Sequence, residues 1–390
     1  MFDFDKEIPR KGTASVKHDG AAAYCGNPDA IPMWVADMDF AAPEAVTRAL
    51  LERASHPVYG YTLYPDSMYT ALITWMKNRH SWAIERDAIM MSPGVVTALH
   101  ATVLALTQPG NSVIVQSPVY APFFSSVTTT GRKLLLNPLH LENGRYSIDY
   151  AHLEQCAAQG ARLLILCSPH NPVGRVWTQD ELQRILDIAR RHNIAILSDE
   201  IHADLVYPGI KHTALATLAK AGDTIITTVA PSKTFNIPGL GLSALIVHDP
   251  AHRAALQKVF DQLHVLAGNP FSITAFEAAY NGGEEWLEAL LVYLQQTREF
   301  VRGYLASHLP GIHLIEPEGS YLLWLDCREL GMTDAELKHF FVHEAGVALS
   351  PGTIFGEDGS GFMRMNIGTP RKTVAAALEQ IRGALAARKK

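Results

Sequence analysis

Three short polar signatures, each placed directly after an apolar run, constrain the fold of this chain more than any other feature. Residues 163–166 are followed by the signature 167–174, residues 194–197 by the signature 198–202, and residues 224–229 by the signature 232–239. Parallel α/β sheets place ligand sites at the carboxyl ends of their strands, where such polar residues would lie. The stretch 163–245 therefore predicts the core of a parallel sheet with a binding site along one edge.

Short apolar runs alternate with amphipathic segments along much of the chain. This alternation predicts βαβ units and a mostly parallel sheet covered by helices on both faces. Further strands are expected at residues 89–92, 112–116, 133–136 and 242–247. Helices are expected at residues 43–55, 66–79, 95–107, 118–130, 149–158, 178–192 and 286–309. Asp66 is expected to cap the second helix, and capping boxes begin at Thr178 and Thr333.

The pattern changes after residues 310–311, where an α+β region follows. Strands are expected there at residues 312–315, 321–326 and 362–366. The first 42 residues contain little periodicity and are expected to be extended, although residues 32–40 are densely apolar and acidic. We therefore predict a large domain of residues 43–285 and a small domain made from residues 1–42 and 286–390.

Composition and charge narrow the function classes. With 390 residues and a formal charge of −6 at pH 7, the chain gives no electrostatic reason to expect nucleic-acid or anionic membrane partners. Its four cysteines are far apart, which favours a reducing compartment over a disulfide framework. The first seven residues lack the apolar core of a signal peptide, and the apolar stretch 94–106 is too short to cross a bilayer. A cytoplasmic protein without a membrane partner is expected.

Two residues are candidates for a direct role in chemistry: Asp199 in the second signature and Lys233 in the third. Lys233 has small or apolar neighbours, so desolvation is expected to lower the pKa of its amine and make it nucleophilic toward an aldehyde cofactor. Asp199 follows the neighbouring strand and could hold a protonated ring nitrogen. The alternatives are an exposed loop lysine and a metal site of Asp199, His202 and Asp204, although no second ligand cluster accompanies those three.

Three further features could bind a ligand nearby. Gly94, Val95 and Val96 follow a predicted strand and open an apolar helix, whose free N–H groups and dipole suit a phosphate. Tyr120 follows the next strand and could stack on a planar ring, with simple packing as the alternative. Arg364 lies within an apolar strand and needs an anionic partner, either a substrate carboxylate or a protein carboxylate.

Taken together, the three signatures resemble a known family. Asn-Pro-Val-Gly at residues 171–174, Ser-Asp-Glu at 198–200 and Ser-Lys-Thr-Phe-Asn at 232–236 resemble, in order and spacing, the fold-type-I enzymes that use pyridoxal 5′-phosphate (PLP). The resemblance covers essentially the whole chain. It implies an α/β fold in which a large domain has a mostly parallel seven-stranded sheet and a smaller domain is α+β.

The resemblance also implies how the cofactor is held. Lys233 would form the Schiff base with the cofactor aldehyde, and Asp199 would pair with the pyridine nitrogen. Asn171 and His202 would lie near the ring hydroxyl. Ser232 would bind the phosphate together with the helix N–H groups of residues 94–96.

Four other residues receive implied roles in substrate binding and catalysis. The amino-acid substrate would contact Ala36 and Asn171, and Arg364 would bind its α-carboxylate. Tyr120 would stack on the cofactor ring and, with the lysine, is a candidate proton donor. Tyr61 looks like the catalytic tyrosine that reaches the phosphate of the partner subunit, which implies a homodimer with composite active sites.

Two stretches are similar to one branch of the family, the cystathionine β-lyases or C–S lyases. They are residues 32–40 and 168–177, in which His170 stands where related aminotransferases more often have Asn. This branch implies β-elimination on L-cystathionine or related S-substituted cysteines, giving a thiol, pyruvate and ammonia. The alternatives are a PLP-dependent aminotransferase of the same fold and a non-catalytic binding or regulatory protein on this scaffold. The second is disfavoured because the lysine, aspartate and arginine positions are all filled.

The chain departs from the aspartate-aminotransferase pattern at two positions. Gly241 stands where that pattern has a phosphate-binding arginine, and Ala230 stands where it has a serine. The phosphate is therefore expected to depend more on the helix N–H groups, Ser232 and the partner's Tyr61.

Overall fold

A seven-stranded sheet forms the centre of the computed structural model, which describes residues 2–265 and 268–388. The strands are β1 (Ile31–Pro32), β2 (Ile89–Ser92), β3 (Ser112–Val115), β4 (Lys133–Leu136), β5 (His140–Glu142), β6 (Arg145–Ser147), β7 (Ala161–Cys167), β8 (Ala195–Asp199), β9 (Ile225–Val229), β10 (Ser243–Val247), β11 (His313–Leu314), β12 (Leu322–Asp326), β13 (Val347–Ala348), β14 (Ser350–Pro351) and β15 (Phe362–Asn366). The helices are α1 (Ala21–Cys25), α2 (Glu44–Ser55), α3 (Asp66–His80), α4 (Val95–Leu106), α5 (Pro122–Thr128), α6 (Tyr150–Ala158), α7 (Gln179–His192), α8 (Pro231–Thr234), α9 (Pro250–Gln262), α10 (Pro270–Gly282), α11 (Glu284–His308), α12 (Asp334–His339) and α13 (Arg371–Arg388).

The central sheet has the order β2-β10-β9-β8-β7-β3-β4, and β10 alone runs in the opposite direction to the other six strands. Side chains of β7 alternate between two apolar layers: Leu164 and Leu166 pack with α6 and α7, whereas Leu163 and Ile165 pack with α4, α5 and α9. Burial on both faces explains why β7 is an apolar run instead of an alternating one. The predicted α/β class and the mostly parallel seven-stranded sheet are confirmed.

A second, antiparallel sheet has the order β11-β12-β15-β14 and belongs to the C-terminal part of the chain. The N-terminal segment joins this part through β1, which pairs in parallel with β13. Helix α11 is 25 residues long and starts at Glu284, so the predicted boundary at 285/286 falls in its first turn. The division into two domains at that point stays a prediction.

Several local predictions were wrong for identifiable reasons. Residues 118–130 are helical only over α5, because the backbone N–H of Val119 donates to the carbonyl of Phe355 in the C-terminal part (2.8 Å). Asp66 is the first residue of α3 and not its cap. The segment 1–42 contains the short helix α1, and the hairpin β5–β6 was missed although Asn143-Gly144 is a typical hairpin turn.

The two predicted capping boxes are present at Thr178 with Glu181 and at Thr333 with Glu336. Within residues 2–265 and 268–388, no helix has the length and apolar character needed to cross a bilayer.

Candidate active site

A cavity of about 570 Å³ lies at the carboxyl ends of β7, β8 and β9, and residues of the N-terminal segment and the C-terminal part also line it. Its lining includes most of the residues predicted from the sequence: Ala36, Gly94, Val95, Val96, Tyr120, Asn171, Asp199, His202, Ser232, Lys233 and Arg364. Tyr61 is absent from this lining and is fully exposed on the surface of the same chain. The structure thus brings the predicted residues of one subunit together, while their individual roles stay predictions.

Lys233 lies in the short helix α8, directly after β9, so the end of that strand aims it at the cavity. Its Nζ donates to the backbone carbonyl of Ala36 at 2.7 Å. The pKa of Lys233 is lowered to about 8, mainly by burial and to a smaller extent by the nearby Arg364 guanidinium. An amine with this pKa is partly neutral near pH 7.5, which nucleophilic attack on an aldehyde requires.

Asp199 ends β8 and stands between Cys167 and Thr228 in the strand register. Its Oδ1 accepts from the N–H of Ile201 at 3.1 Å and from the Thr228 hydroxyl at 3.3 Å. Burial raises the pKa of this carboxyl to about 7. A cationic N–H held against it would stabilise the carboxylate and reverse that shift, which suits a protonated ring nitrogen.

The metal-site alternative does not match the geometry. Asp204 belongs to a separate buried network, in which it accepts from Trp75 at 3.0 Å, from Thr234 at 2.8 Å and contacts His80 at 2.7 Å. No group of three or more His, Cys, Asp or Glu side chains within the described ranges could hold a metal ion.

Gly94 precedes α4 and exposes the helix N-terminus to the cavity. The first N–H groups of a helix have no partner within it, so those of Val95 and Val96 are available to an anion. A Cβ at Gly94 would meet open space, whereas a Cβ at Gly241 would lie 3.1 Å from the carbonyl of Pro93 at a left-handed φ of +31°. The close approach and the backbone conformation explain why Gly241 does not carry the arginine of the aspartate-aminotransferase pattern.

Arg364 projects from β15 and is buried without a carboxylate partner among the described residues. Its guanidinium donates to Asn171 Oδ1 at 3.1 Å and to the carbonyl of Trp34 at 2.9 Å, and Nε has no partner there. Burial lowers the pKa of Arg364 to about 10, so the group is still a cation at neutral pH. The ion-pair alternative is therefore wrong, and a buried cation of this kind favours an anionic ligand.

His202 is buried beside the cavity, and burial lowers its pKa to about 3, so its imidazole is neutral at neutral pH. His170 Nε2 lies 2.9 Å from the carbonyl oxygen of Pro118, and His170 does not line the main cavity. Both rings and Ser320 border a small second cavity of about 10 Å³, the size of one water molecule.

The N-terminal segment 34–40 crosses the site and is held from both sides by amide side chains that the sequence did not single out. Asn236 accepts from the N–H of Met38 at 2.8 Å and donates to the carbonyls of Met38 and Phe40 at 2.9 and 2.8 Å. Asn366, from β15, donates to the carbonyls of residues 35 and 37. Asn236 could have been noticed, since it is part of the third signature.

Tyr24 is another residue that the sequence did not reveal. It stacks on Trp34 with ring centroids 3.6 Å apart, and both rings line the cavity. Nothing in the local sequence around α1 marks Tyr24 as a cavity residue. Its position depends on the pairing of β1 with β13, which is a contact across the length of the chain.

The cavity fits the aldehyde, phosphate and protonated ring of the expected cofactor. It offers a buried amine of lowered pKa, a buried carboxylate and a helix N-terminus with open space beside it. A buried guanidinium at the same cavity would bind a carboxylate. This set can bind an amino acid and move protons at its α-carbon.

Comparisons with known proteins cover the chain nearly end to end. The model of the aminotransferase class I and II family matches residues 28–381. Cystathionine beta-lyase PatB of Bacillus subtilis (strain 168) is 43% identical over 386 residues, which are 98% of this chain and 100% of PatB.

Solved structures are also similar to this chain over nearly its whole length. A PLP-bound putative aminotransferase from Clostridium difficile 630 superposes with a TM-score of 0.97 and 40% identity, over 99% of this chain and 100% of that one. The PLP-bound C–S lyase from Staphylococcus hominis, in the external aldimine form with the inhibitor L-cycloserine, has a TM-score of 0.93 and 31% identity. That match covers 99% of this chain and 98% of the lyase.

Proposed function

This chain belongs to the aminotransferase class I and II family, and from that premise we propose that it is a PLP-dependent carbon–sulfur lyase. The substrates are L-cystathionine or related S-substituted cysteines, and the products are a thiol, pyruvate and ammonia. The family inferred from the sequence is confirmed. The observation that carries the proposal is the 43% identity, over full length, to a protein named as a cystathionine beta-lyase.

In the proposed enzyme, Lys233 would hold the cofactor aldehyde and Asp199 would pair with the ring nitrogen. The N–H groups at the start of α4, together with Ser232, would hold the phosphate. Tyr120 would cover the ring, and Asn171 and the neutral His202 would bind near the ring hydroxyl. When bound, PLP supplies an electron sink for the electron pair released at the substrate α-carbon.

The chain's own residues then bind the substrate and move its protons. Arg364 binds the α-carboxylate and fixes the orientation of the α-carbon. The neutral amine of Lys233 accepts the α-proton, and its pKa of about 8 supplies neutral amine near pH 7.5.

Expulsion of sulfur completes the chemistry. The C–S bond breaks, the sulfur leaves with the bonding electron pair, and Lys233 or Tyr120 supplies the proton that makes it a thiol. Burial raises the pKa of Tyr120, so this hydroxyl carries its proton at neutral pH. Water then hydrolyses the remaining three-carbon unit to pyruvate and ammonia.

The alternative is an aminotransferase of the same fold, and the similarity to the Clostridium difficile protein, which is named as a putative aminotransferase, favours it. The two reactions differ in whether a keto-acid acceptor is needed. We expect the purified holoenzyme to release thiol and pyruvate in equal amounts from L-cystathionine with no keto acid present. Lys233→Ala is the control and should release neither. Product formed only when 2-oxoglutarate is added would overturn the lyase proposal in favour of the aminotransferase.

The proposed enzyme is a cytoplasmic homodimer with composite sites. Val58, Tyr59, Tyr61 and Leu63 are exposed on one loop, which suits burial against a second copy. The four cysteines are all free and buried, as expected in a reducing compartment.

Subunit mixing tests the composite site. In a mixed dimer of Tyr61→Ala and Lys233→Ala chains, one site has both native residues and the other has neither. If each single variant is inactive, random exchange of equal amounts should restore about a quarter of wild-type activity. A mixture that exchanges subunits and stays inactive would refute the role of Tyr61 across the interface.

A further inference from the structure

The charged side chains of the cavity are few, and each one already has a role in the proposed reaction. Among the described lining residues, only Asp199, Lys233 and Arg364 carry charge at neutral pH. Asp199 and Lys233 are committed to the cofactor, and Arg364 to the α-carboxylate. No charged side chain of this lining is left to pair with a charge on the sulfur substituent.

The outer part of the cavity is uncharged. The lining residues that are also exposed mark where the cavity opens: Pro93, Val96, Tyr120, Pro238, Gly241 and Ile354. The large side chains among them are Val96, Tyr120 and Ile354, which are 38%, 41% and 44% exposed. A substituent that extends outward from the substrate sulfur therefore meets apolar and aromatic side chains.

The loop that carries Tyr61 would add no charged side chain from the second subunit in the proposed homodimer. The loop of residues 57–65, which carries Tyr61, contains no Asp, Glu, Lys or Arg. Its exposed large hydrophobic side chains are Val58, Tyr59, Tyr61 and Leu63. The surface that this loop would bring to the cavity is thus also apolar and aromatic.

We propose that the site selects S-substituted cysteines whose sulfur substituent is uncharged and apolar, in preference to the zwitterionic substituent of cystathionine. This inference rests on the proposed lyase function and names its substrate class. A terminal ammonium or carboxylate would lose water on binding without gaining a partner. An added methylene that becomes buried should raise kcat/KM roughly fourfold.

Pairs of substrates that match in shape and differ in charge test the proposal. S-propyl-L-cysteine ends in a methyl group where S-(2-aminoethyl)-L-cysteine ends in an ammonium group. S-isopentyl-L-cysteine ends in two methyl groups where S-(2-carboxyethyl)-L-cysteine has the two oxygens of a carboxylate. The kcat/KM for pyruvate release by the holoenzyme is measured for all four compounds and for L-cystathionine.

We expect each apolar compound to exceed its charged partner and L-cystathionine by at least tenfold. A charged compound, or cystathionine, that reacts as well as its apolar partner would overturn the selectivity proposal while leaving the lyase function intact. Absence of pyruvate from all five compounds would instead refute the lyase function, so the two failures are distinguishable.

A charge placed at the cavity mouth provides an independent measurement. Ile354 is half-exposed in the short turn Gly352–Phe355, so a polar side chain fits there without core disruption. Ile354→Glu should raise the kcat/KM of the aminoethyl compound relative to the propyl compound by roughly 2- to 5-fold over Ile354→Gln, the uncharged control. The carboxyethyl compound should change in the opposite direction. Equal ratios in the two variants would contradict the proposed position of the substituent.

Discussion

Titration of Lys233 in the cofactor-free protein should give a midpoint near pH 8, well below that of an ordinary lysine. The structure lowers the pKa of this amine mainly by burial, and then through the cation of Arg364. Asp37 and Asp199 act in the opposite direction and raise it. The pKa of Lys233 reflects the balance of these influences.

The consequence for reactivity is large. At pH 7 an amine of pKa 8 is about 9% neutral, whereas an amine with the usual lysine pKa of about 10.4 is about 0.04% neutral. Lys233 should therefore react with a small neutral acylating reagent roughly 200-fold faster than an ordinary lysine amine of equal accessibility and intrinsic nucleophilicity.

Two substitutions should move the midpoint in opposite directions. Arg364→Gln removes a cation that disfavours the charged amine, so the pKa of Lys233 should rise. Asp37→Asn removes an anion that favours the charged amine, so the pKa should fall. Both variants keep a polar side chain of equal or smaller size, which limits changes in packing.

Competitive acetylation between pH 6 and pH 11, followed by peptide mass spectrometry, measures this titration directly. The exposed Lys77 on α3 serves as the internal standard for reagent activity. A midpoint above pH 10 in the wild type, or shifts of the same sign in both variants, would refute the electrostatic account of Lys233.

Two further predictions concern the carboxylate and the N-terminal segment. Burial raises the pKa of Asp199 to about 7 from 3.8, so the stability contributed by its protonated form is present at low pH and is lost as pH rises through 7. In urea unfolding of the cofactor-free protein, the free energy of unfolding of Asp199→Asn should gain roughly 2 to 3 kcal/mol over that of wild type between pH 5 and 8. A difference that does not change with pH would contradict the buried carboxylate. Asn236→Ala removes three hydrogen bonds to residues 38–40, each worth about 1 kcal/mol, so amide exchange at Met38 should accelerate by roughly two orders of magnitude. Asn236→Gly is the control for the left-handed φ of +55° at that position. Unchanged exchange at Met38 in both variants would contradict the role given to these three hydrogen bonds.

Much of the central sheet could be predicted because its signals are local. Strands such as β7 are apolar runs with polar residues directly after them, and burial on both faces requires that composition. The same rule placed Lys233 and Asp199 at strand ends, where the fold brings them to one cavity.

The parts that could not be predicted depend on contacts between distant residues. Asn236 binds backbone groups 196 and 198 positions away, and no local pattern encodes that pairing. Tyr24 lies in a segment without periodicity, and it stacks on Trp34, which follows the strand β1 that pairs with the distant β13. Tyr61 poses the same problem between subunits, since its proposed site belongs to another chain.

Borohydride reduction of the holoenzyme, followed by peptide mapping, tests most directly the claim that this cavity is a PLP-dependent lyase centre built on Lys233. Reduction fixes the cofactor to whichever amine holds it. We expect the cofactor to be recovered on the peptide that contains Lys233, with loss of thiol and pyruvate release in proportion to labelling. Recovery of the cofactor on another lysine, or full activity after complete labelling, would contradict this claim.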